Sequence, residues 1–331
     1  MAGNVSRRTR RLAATRSLPC QHTADAGGIG STTGGIQIGS ALQFTHPVAQ
    51  SVSGHECSTL IRPCHPLGHS LICGFVHKIA LQLGGLSIHW YGVLVAAGFL
   101  AGLWTASRRG LRDGVAAEKI IDLGPWLMLG TIVGARTLYV VSYWREQFAD
   151  QPFREIFMVH HGGLVFYGGL IGASLAGIIF VRVKRLPLWK LADILAPSIA
   201  LGHAIGRIGC LMNGCCYGRP CSLAWAIQFP DDHETHGVPV HPTQIYESLL
   251  NFALYAALAW LFRRKKFDGQ VFATYLVCYA LLRTLVESFR GDYPVYYLGG
   301  MVTPAQLVSA GILAIGLLLF WKLPRRLEKQ G

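Results

Sequence analysis

From Ile88 to the C-terminus, apolar residues come in blocks of membrane-spanning length separated by short polar connections. The blocks fall at about 91–107, 121–142, 164–182, 191–212, 246–262, 270–287 and 304–321. Each is near the ~20 residues that an α-helix needs to cross a hydrocarbon core. Several are interrupted by small or polar residues, such as Gly168-Gly169 in the third block and Asp193 with Pro197 in the fourth. Such residues point to close packing against neighbouring helices rather than a purely lipid-facing surface. The pattern predicts an all-α polytopic membrane protein of about seven transmembrane helices.

Residues 1 to about 75 differ in kind. They are rich in Ser, Thr, Gly and His, carry Arg7, Arg8, Arg10, Arg11 and Arg16, and show no helical apolar period. No apolar core follows these arginines, so a cleavable signal peptide is not expected. The stretch reads as a disordered extension or as the product of a misassigned start. The seven-helix domain is then expected over 76–322, with its longest connection at 213–245 and a basic tail at 323–331.

Charge orients this plan. Basic residues gather in alternate connections: Arg108, Arg109, Arg112 and Lys119; Arg182, Lys184, Arg185 and Lys190; Arg263, Arg264, Lys265 and Lys266; and Lys322, Arg325, Arg326 and Lys329 at the end. The other connections hold Asp150, Glu155, Asp231, Asp232, Glu234 and Asp292. The positive-inside rule therefore places the N-terminus outside, the C-terminus inside and the 213–245 loop outside. The chain is 51% hydrophobic, only 14% charged, and +13 in formal charge. With the basic residues distributed this way, the charge marks topology and predicts no nucleic-acid partner.

The outer ends of the helices hold unusual polar residues. Gly206-Arg207-Ile208-Gly209-Cys210-Leu211-Met212-Asn213-Gly214-Cys215-Cys216-Tyr217-Gly218 closes the fourth block. An arginine is costly at membrane depth, and its planar fork suits a phosphate. The flanking glycines would let backbone approach a bulky ligand. Arg283 and Glu287, four apart, share a helix face. They read either as an intramembrane ion pair or as a ligand-facing arginine oriented by its carboxylate, and a second arginine from another helix on the same side favours the latter. Trp90, Tyr91, His160 and His161, taken alone, read as interfacial residues. Cys210, Cys215, Cys216 and Cys221 lack the paired spacing of zinc ribbons, so outer-face disulfides or packing are expected rather than a metal.

Five runs in order resemble the bacterial prolipoprotein diacylglyceryl transferase family. They are His89-Trp90-Tyr91-Gly92, the glycine-rich run 162–172 around Phe166-Tyr167-Gly168-Gly169, Gly206-Arg207-x-Gly209, His241-Pro242-Thr243-Gln244-x-Tyr246-Glu247 and Arg283-x3-Glu287-x2-Arg290. The similarity spans about 85–322. It implies an enzyme of the bacterial inner membrane, its active site toward the outer leaflet. That enzyme would move an sn-1,2-diacylglyceryl group from phosphatidylglycerol to the lipobox cysteine of a prolipoprotein signal peptide. Glycerol-1-phosphate would leave, with no cofactor or metal expected. The implied catalytic residues are Arg207, Arg283, Glu287, Tyr91 and Tyr167. The implied phosphatidylglycerol-binding residues are Arg207, Arg283, Asn213, Gly218 and Tyr246.

The chain departs from that family pattern at three positions. Tyr167 stands where well-known members carry a histidine proposed as proton acceptor, and a phenol of ordinary pKa is a poor base at neutral pH. Activation of Tyr167, a thiol pKa lowered by the site's field, or service by His161 or His241 are the alternatives. Cys210 and Cys215 stand where many members carry asparagine and an acidic residue. These departures keep open a silent homologue that binds lipid or signal segments without transfer. A transporter is disfavoured because the ionisable residues cluster on one side of the bilayer.

Overall fold

A computed structural model of the protein describes residues 78–84, 86–149, 152–158, 162–291 and 302–328. The expected N-terminal extension, and His160, His161, Asp150 and Asp292, lie outside the described residues. Among those described, the apolar blocks form seven long α-helices. They are α1 (Trp90–Arg112), α2 (Ala117–Ser142), α3 (Phe166–Val183), α4 (Leu188–Asn213), α5 (Thr243–Phe262), α6 (Gln270–Glu287) and α7 (Pro304–Glu328). The last runs past the expected edge of its block.

Five of these (α1, α3, α4, α5 and the Pro304–Pro324 stretch of α7) are long and apolar enough to cross a membrane. The other two, α2 and α6, are interrupted by charge: Asp122 and Arg136 in one, Arg283 and Glu287 in the other. Large apolar side chains stand exposed on many helices, among them Leu100, Leu129, Val141, Ile171, Leu249 and Leu317. An apolar surface this extensive suits lipid rather than water. The protein is a multi-pass membrane protein.

One element adds to the helical plan. A short hairpin pairs β1 (Ile79–Leu83) with β2 (Leu86–His89) antiparallel, turning at Gly84, and delivers the chain into α1. Its alternating Ile79, Leu81 and Leu83 carry the two-residue period of a strand.

The helix at the centre is α4, packed against α1, α5 and α6, while α2 packs on α3 and α6 on α7. The α2–α3 contact is the closest. Gly130 and Gly134 on one helix face Gly168 and Gly172 on the other, and a Cβ on Gly134 would strike the Gly168 carbonyl and the Gly172 backbone. This is the small-residue packing that lets membrane helices touch without a hydrophobic driving force.

At the end of the molecule that carries the basic connections, Asp193 of α4 is fully buried. Its two oxygens accept the backbone N–H groups of Gly269 and Phe272, each at 2.9 Å, satisfying the free donors at the start of α6. Lys265 lies 3.5 Å from the same carboxylate and also pairs with Asp113 and Asp268, at 2.8 and 2.9 Å. One lysine thereby ties the α1–α2 and α5–α6 connections to α4. The Lys265 ammonium loses solvation, but these carboxylates outweigh that loss and hold its pKa above the ordinary lysine value. Asp193→Ala is expected to lose about 2–4 kcal/mol of stability, because two buried donors lose their acceptor. Denaturation midpoints in detergent would show it, with Asp193→Asn intermediate because its single carbonyl oxygen replaces one of the two acceptors.

Buried Arg109 of α1 belongs to the same structural class. It donates to the Ile194 carbonyl and the Ser198 hydroxyl, each at 2.9 Å, and lies over the Tyr255 ring. Its charge is spent on joining α1 to α4 and α5.

Candidate active site

At the opposite end, the last turns of α4 and α6 meet the first turns of α1 and α5. The centre of this meeting is a carboxylate that sequence reasoning quoted only as part of a motif. Glu247 of α5 is nearly fully buried and stands 2.9 Å from the Arg207 guanidinium. His203, one turn before Arg207 on α4, joins them. Its Nε2 is 3.1 Å from Arg207 Nε and 3.2 Å from Glu247 Oε1. One ring nitrogen cannot accept from arginine and donate to a carboxylate together, so these contacts belong to alternative proton placements.

The expected α6 pair forms as well. Arg283 lies 2.7 Å from Glu287, whose other oxygen accepts the Thr303 hydroxyl at 2.9 Å. The two arginines thus come from different helices, each with its own buried acidic partner. Burial of such charges is tolerable only when they are paired, as these are.

Glu247 stands on a polar stripe. Thr243, Gln244, Glu247, Ser248 and Asn251 are all buried on one face of α5. Ser248 donates to the Ala204 carbonyl, while Thr243 and Gln244 donate to the carbonyls of Cys216 and Cys215. These bonds fasten α5 to α4 and to the turn that follows it. That turn starts at Gly214, whose left-handed backbone (φ 77°) ends α4 with its N–H bonded to the Leu211 carbonyl.

The remaining expected site residues surround this centre. Tyr91, half-exposed, packs its ring near Gly209 and lies within electrostatic reach of Arg207. Gly209 is therefore a helix-contact glycine, whereas Gly206 faces open space and leaves an approach beside Arg207. Tyr167 lies in the first turn of α3, its ring edge-on to Phe166 at 5.8 Å. Tyr279 packs its ring 5.6 Å from His203 and stacks on Tyr275. Asn213 is exposed at the end of α4.

Two expected residues are tightly engaged with the loop that joins α4 to α5. Tyr246 accepts a hydrogen bond from Trp225 Nε1 at 2.8 Å and sits 3.4 Å from His241 Nδ1. Gly218 bridges Arg290, its N–H bonded to the His241 carbonyl, and a Cβ there would strike His241 and Phe289. The loop is no loose tether. Ile227, Phe229 and Val240 form a small core, and His233 bonds the Gly214 carbonyl at 2.7 Å.

Between α4 and α5 runs a groove of about 210 Å³, lined by Arg207, Gln244 and Ser248 together with Ile208, Leu211, Ile245, Leu249 and Phe252. It offers one guanidinium and two neutral polar side chains beside a mostly apolar wall. That is the complement of an anionic lipid, charged at the head and apolar along the chains.

The cysteines take an arrangement that the sequence did not suggest. All five described cysteines are free thiols. Cys210, Cys215 and Cys216 place their sulfurs within 4.8 Å of one another, beside the arginine centre.

Residues 78–322 match the family described as prolipoprotein diacylglyceryl transferase. A phosphatidylglycerol–prolipoprotein diacylglyceryl transferase of Finegoldia magna is 36% identical over 253 residues, covering 76% of this chain and 98% of its own. Enzymes of the same name from Synechococcus elongatus (38%, covering 73% of this chain and 86% of theirs) and Geobacillus kaustophilus (39%, 73% and 91%) are similarly close. The chain belongs to the prolipoprotein diacylglyceryl transferase family.

Proposed function

We propose that this protein transfers the sn-1,2-diacylglyceryl group of phosphatidylglycerol to the lipobox cysteine of a prolipoprotein, forming a thioether and releasing glycerol-1-phosphate. The observation that carries the reading is Arg207, held 2.9 Å from buried Glu247 and lining the groove between α4 and α5.

The chemistry follows from where charge develops. The acceptor thiolate attacks the glycerol carbon that bears the phosphate, and the carbon–oxygen bond breaks with its electron pair passing to phosphate. A phosphodiester monoanion becomes a phosphate monoester carrying more negative charge. Guanidinium groups fixed in advance bind that growing charge better than they bind the ground state. Glu247 and Glu287 hold Arg207 and Arg283 in place, each by an ion pair to its guanidinium. Asn213, Tyr246 and Gly218 shape the headgroup side, the last two by holding the outer loop on α5 and α6. Tyr91 closes the α1 side.

The membrane arrangement belongs to the same reading. Seven spanning helices, with the N-terminus outside and the C-terminus inside, put the Lys265 end at the cytoplasmic face and the arginine site at the outer leaflet. The gathering of basic connections at the end opposite Arg207 supports it.

Tyr167, in the first turn of α3, serves through its position. Tyr167→Phe is expected to lower turnover by no more than about tenfold, the loss of one neutral hydrogen bond. A loss of a thousandfold would make the phenol the proton acceptor. The reading as a whole is tested by giving the purified protein phosphatidylglycerol and a lipobox peptide. A diacylglyceryl peptide is expected, and lipid binding without product would leave only a silent homologue.

A further inference from the structure

We propose that Cys210, Cys215 and Cys216 are three ligands of a thiophilic d10 metal ion of the zinc class, whose fourth position receives the acceptor's cysteine thiol. The proposal rests on the transferase reading and names how that same site takes up its nucleophile.

The geometry points there in three ways. First, the three sulfurs lie within 4.8 Å of one another and are half-buried. Thiolates about one zinc ion, each bonded at about 2.3 Å, stand roughly 4 Å apart. Second, neighbouring cysteines ordinarily point apart along the chain, but Cys216 has a left-handed backbone (φ 65°) that turns its side chain back toward the other two. A non-glycine residue held there carries strain, which a structure keeps where the placement serves something. Third, the turn is clamped from α5. Thr243 and Gln244 hold the Cys216 and Cys215 carbonyls at 2.7 Å each, and the Cys215 N–H bonds the Cys210 carbonyl. Ligands fixed in this way need little reorganisation to bind an ion.

Three protein ligands leave one position open, the pattern of a reactive rather than a structural zinc site. The site also lies at the C-terminus of α4, the end of a helix that favours a cation. A thiol bound to such an ion gives up its proton at neutral pH. The step balances as follows. The acceptor S–H bond breaks, and its proton passes to solvent. The metal-held sulfur donates a lone pair to the glycerol carbon, and the carbon–oxygen bond electrons leave with glycerol phosphate. The thioether product is a weak ligand and departs. No redox change occurs. Arg207, one turn before Cys210 on α4, would hold the lipid phosphate next to the nucleophile. This assignment gives the thiol an activator where the chain has Tyr167 rather than a histidine.

Cobalt serves as a spectroscopic stand-in for zinc. Reduced, metal-stripped full-length protein in detergent is titrated with Co2+. One ion per chain is expected, with intense thiolate charge-transfer bands that Zn2+ bleaches by displacement. Adding a lipobox peptide should then change the visible ligand-field bands, while the same peptide with serine in place of cysteine should not. Cys215→Ser combined with Cys216→Ser should abolish the bands, whereas Cys278→Ser on α6 should leave them intact. Absence of stoichiometric binding by the wild type would overturn the proposal, as would bands indifferent to the peptide thiol or a disulfide among the three cysteines in protein isolated without reductant. The wild-type titration decides the matter even if the double variant fails to fold. It needs no turnover, so it fails or succeeds separately from the transferase reading. Full-rate transfer by stripped protein would remove the metal and leave the transferase standing.

Discussion

Arg207→Ala is expected to reduce diacylglyceryl transfer by at least about a thousandfold, roughly 4 kcal/mol of barrier. The guanidinium is the only cationic group among the residues lining the α4–α5 groove, and it is aimed by Glu247 at 2.9 Å and His203 at 3.1 Å. Removing it takes away donors from the oxygens on which charge accumulates. It also strips Glu247 of a close partner, and breaking a buried pair costs about 3–5 kcal/mol in its own right. Arg207→Lys separates the two effects. Lysine keeps a positive charge beside Glu247 but has no fork, so thermal stability in detergent should stay near that of the wild type. Transfer should still fall by about a hundredfold. If Arg207→Lys transferred at the wild-type rate, Arg207 would matter as a charge holding helices together and not as a phosphate ligand.

Glu247 should be nearly as sensitive, and in a distinctive way. Glu247→Ala opens a buried gap among Arg207, His203 and the α5 stripe. It should cost about 3–5 kcal/mol of stability together with most of the activity. Glu247→Gln keeps the shape and removes the charge. Arg207 and Arg283 then face the lipid with less compensation, so the apparent affinity for anionic phosphatidylglycerol should hold or improve. Turnover should fall by about 10–100-fold, because the guanidinium is no longer held where charge develops. A raised KM with unchanged kcat would instead assign Glu247 to ground-state binding alone.

Much of this was legible before the fold was seen, because each helix announces itself by an apolar block near membrane length. The Arg283–Glu287 pair was legible too, since both residues lie on one helix four positions apart. Arg207–Glu247 was not: forty residues and the α4–α5 loop separate them, and only the packing of α5 on α4 brings them together. A signal did exist. Thr243, Gln244, Glu247, Ser248 and Asn251 recur at helical spacing on an otherwise apolar segment, which marks a buried polar face. His203 was likewise readable as the residue one turn before Arg207. The cysteine cluster was hidden for another reason. Vicinal cysteines look divergent until a left-handed residue turns one of them back, and residue type alone does not announce a positive φ at cysteine. The roles of Tyr246 and Gly218 in fastening the loop depend on Trp225, His241 and Phe289, contacts that no local pattern encodes.

The central claim is that Arg207 and Arg283 stabilise a phosphate leaving from diacylglycerol as a thiol takes its place. The most direct measurement follows both products in one reaction, using purified protein, phosphatidylglycerol in detergent micelles and a lipobox peptide. Mass spectrometry reads the diacylglyceryl peptide, and phosphorus NMR reads released glycerol phosphate. The account predicts one glycerol phosphate per thioether formed, with both lost together in Arg207→Ala. Release of glycerol phosphate without a lipidated peptide, or peptide lipidation undiminished in Arg207→Ala, would contradict it.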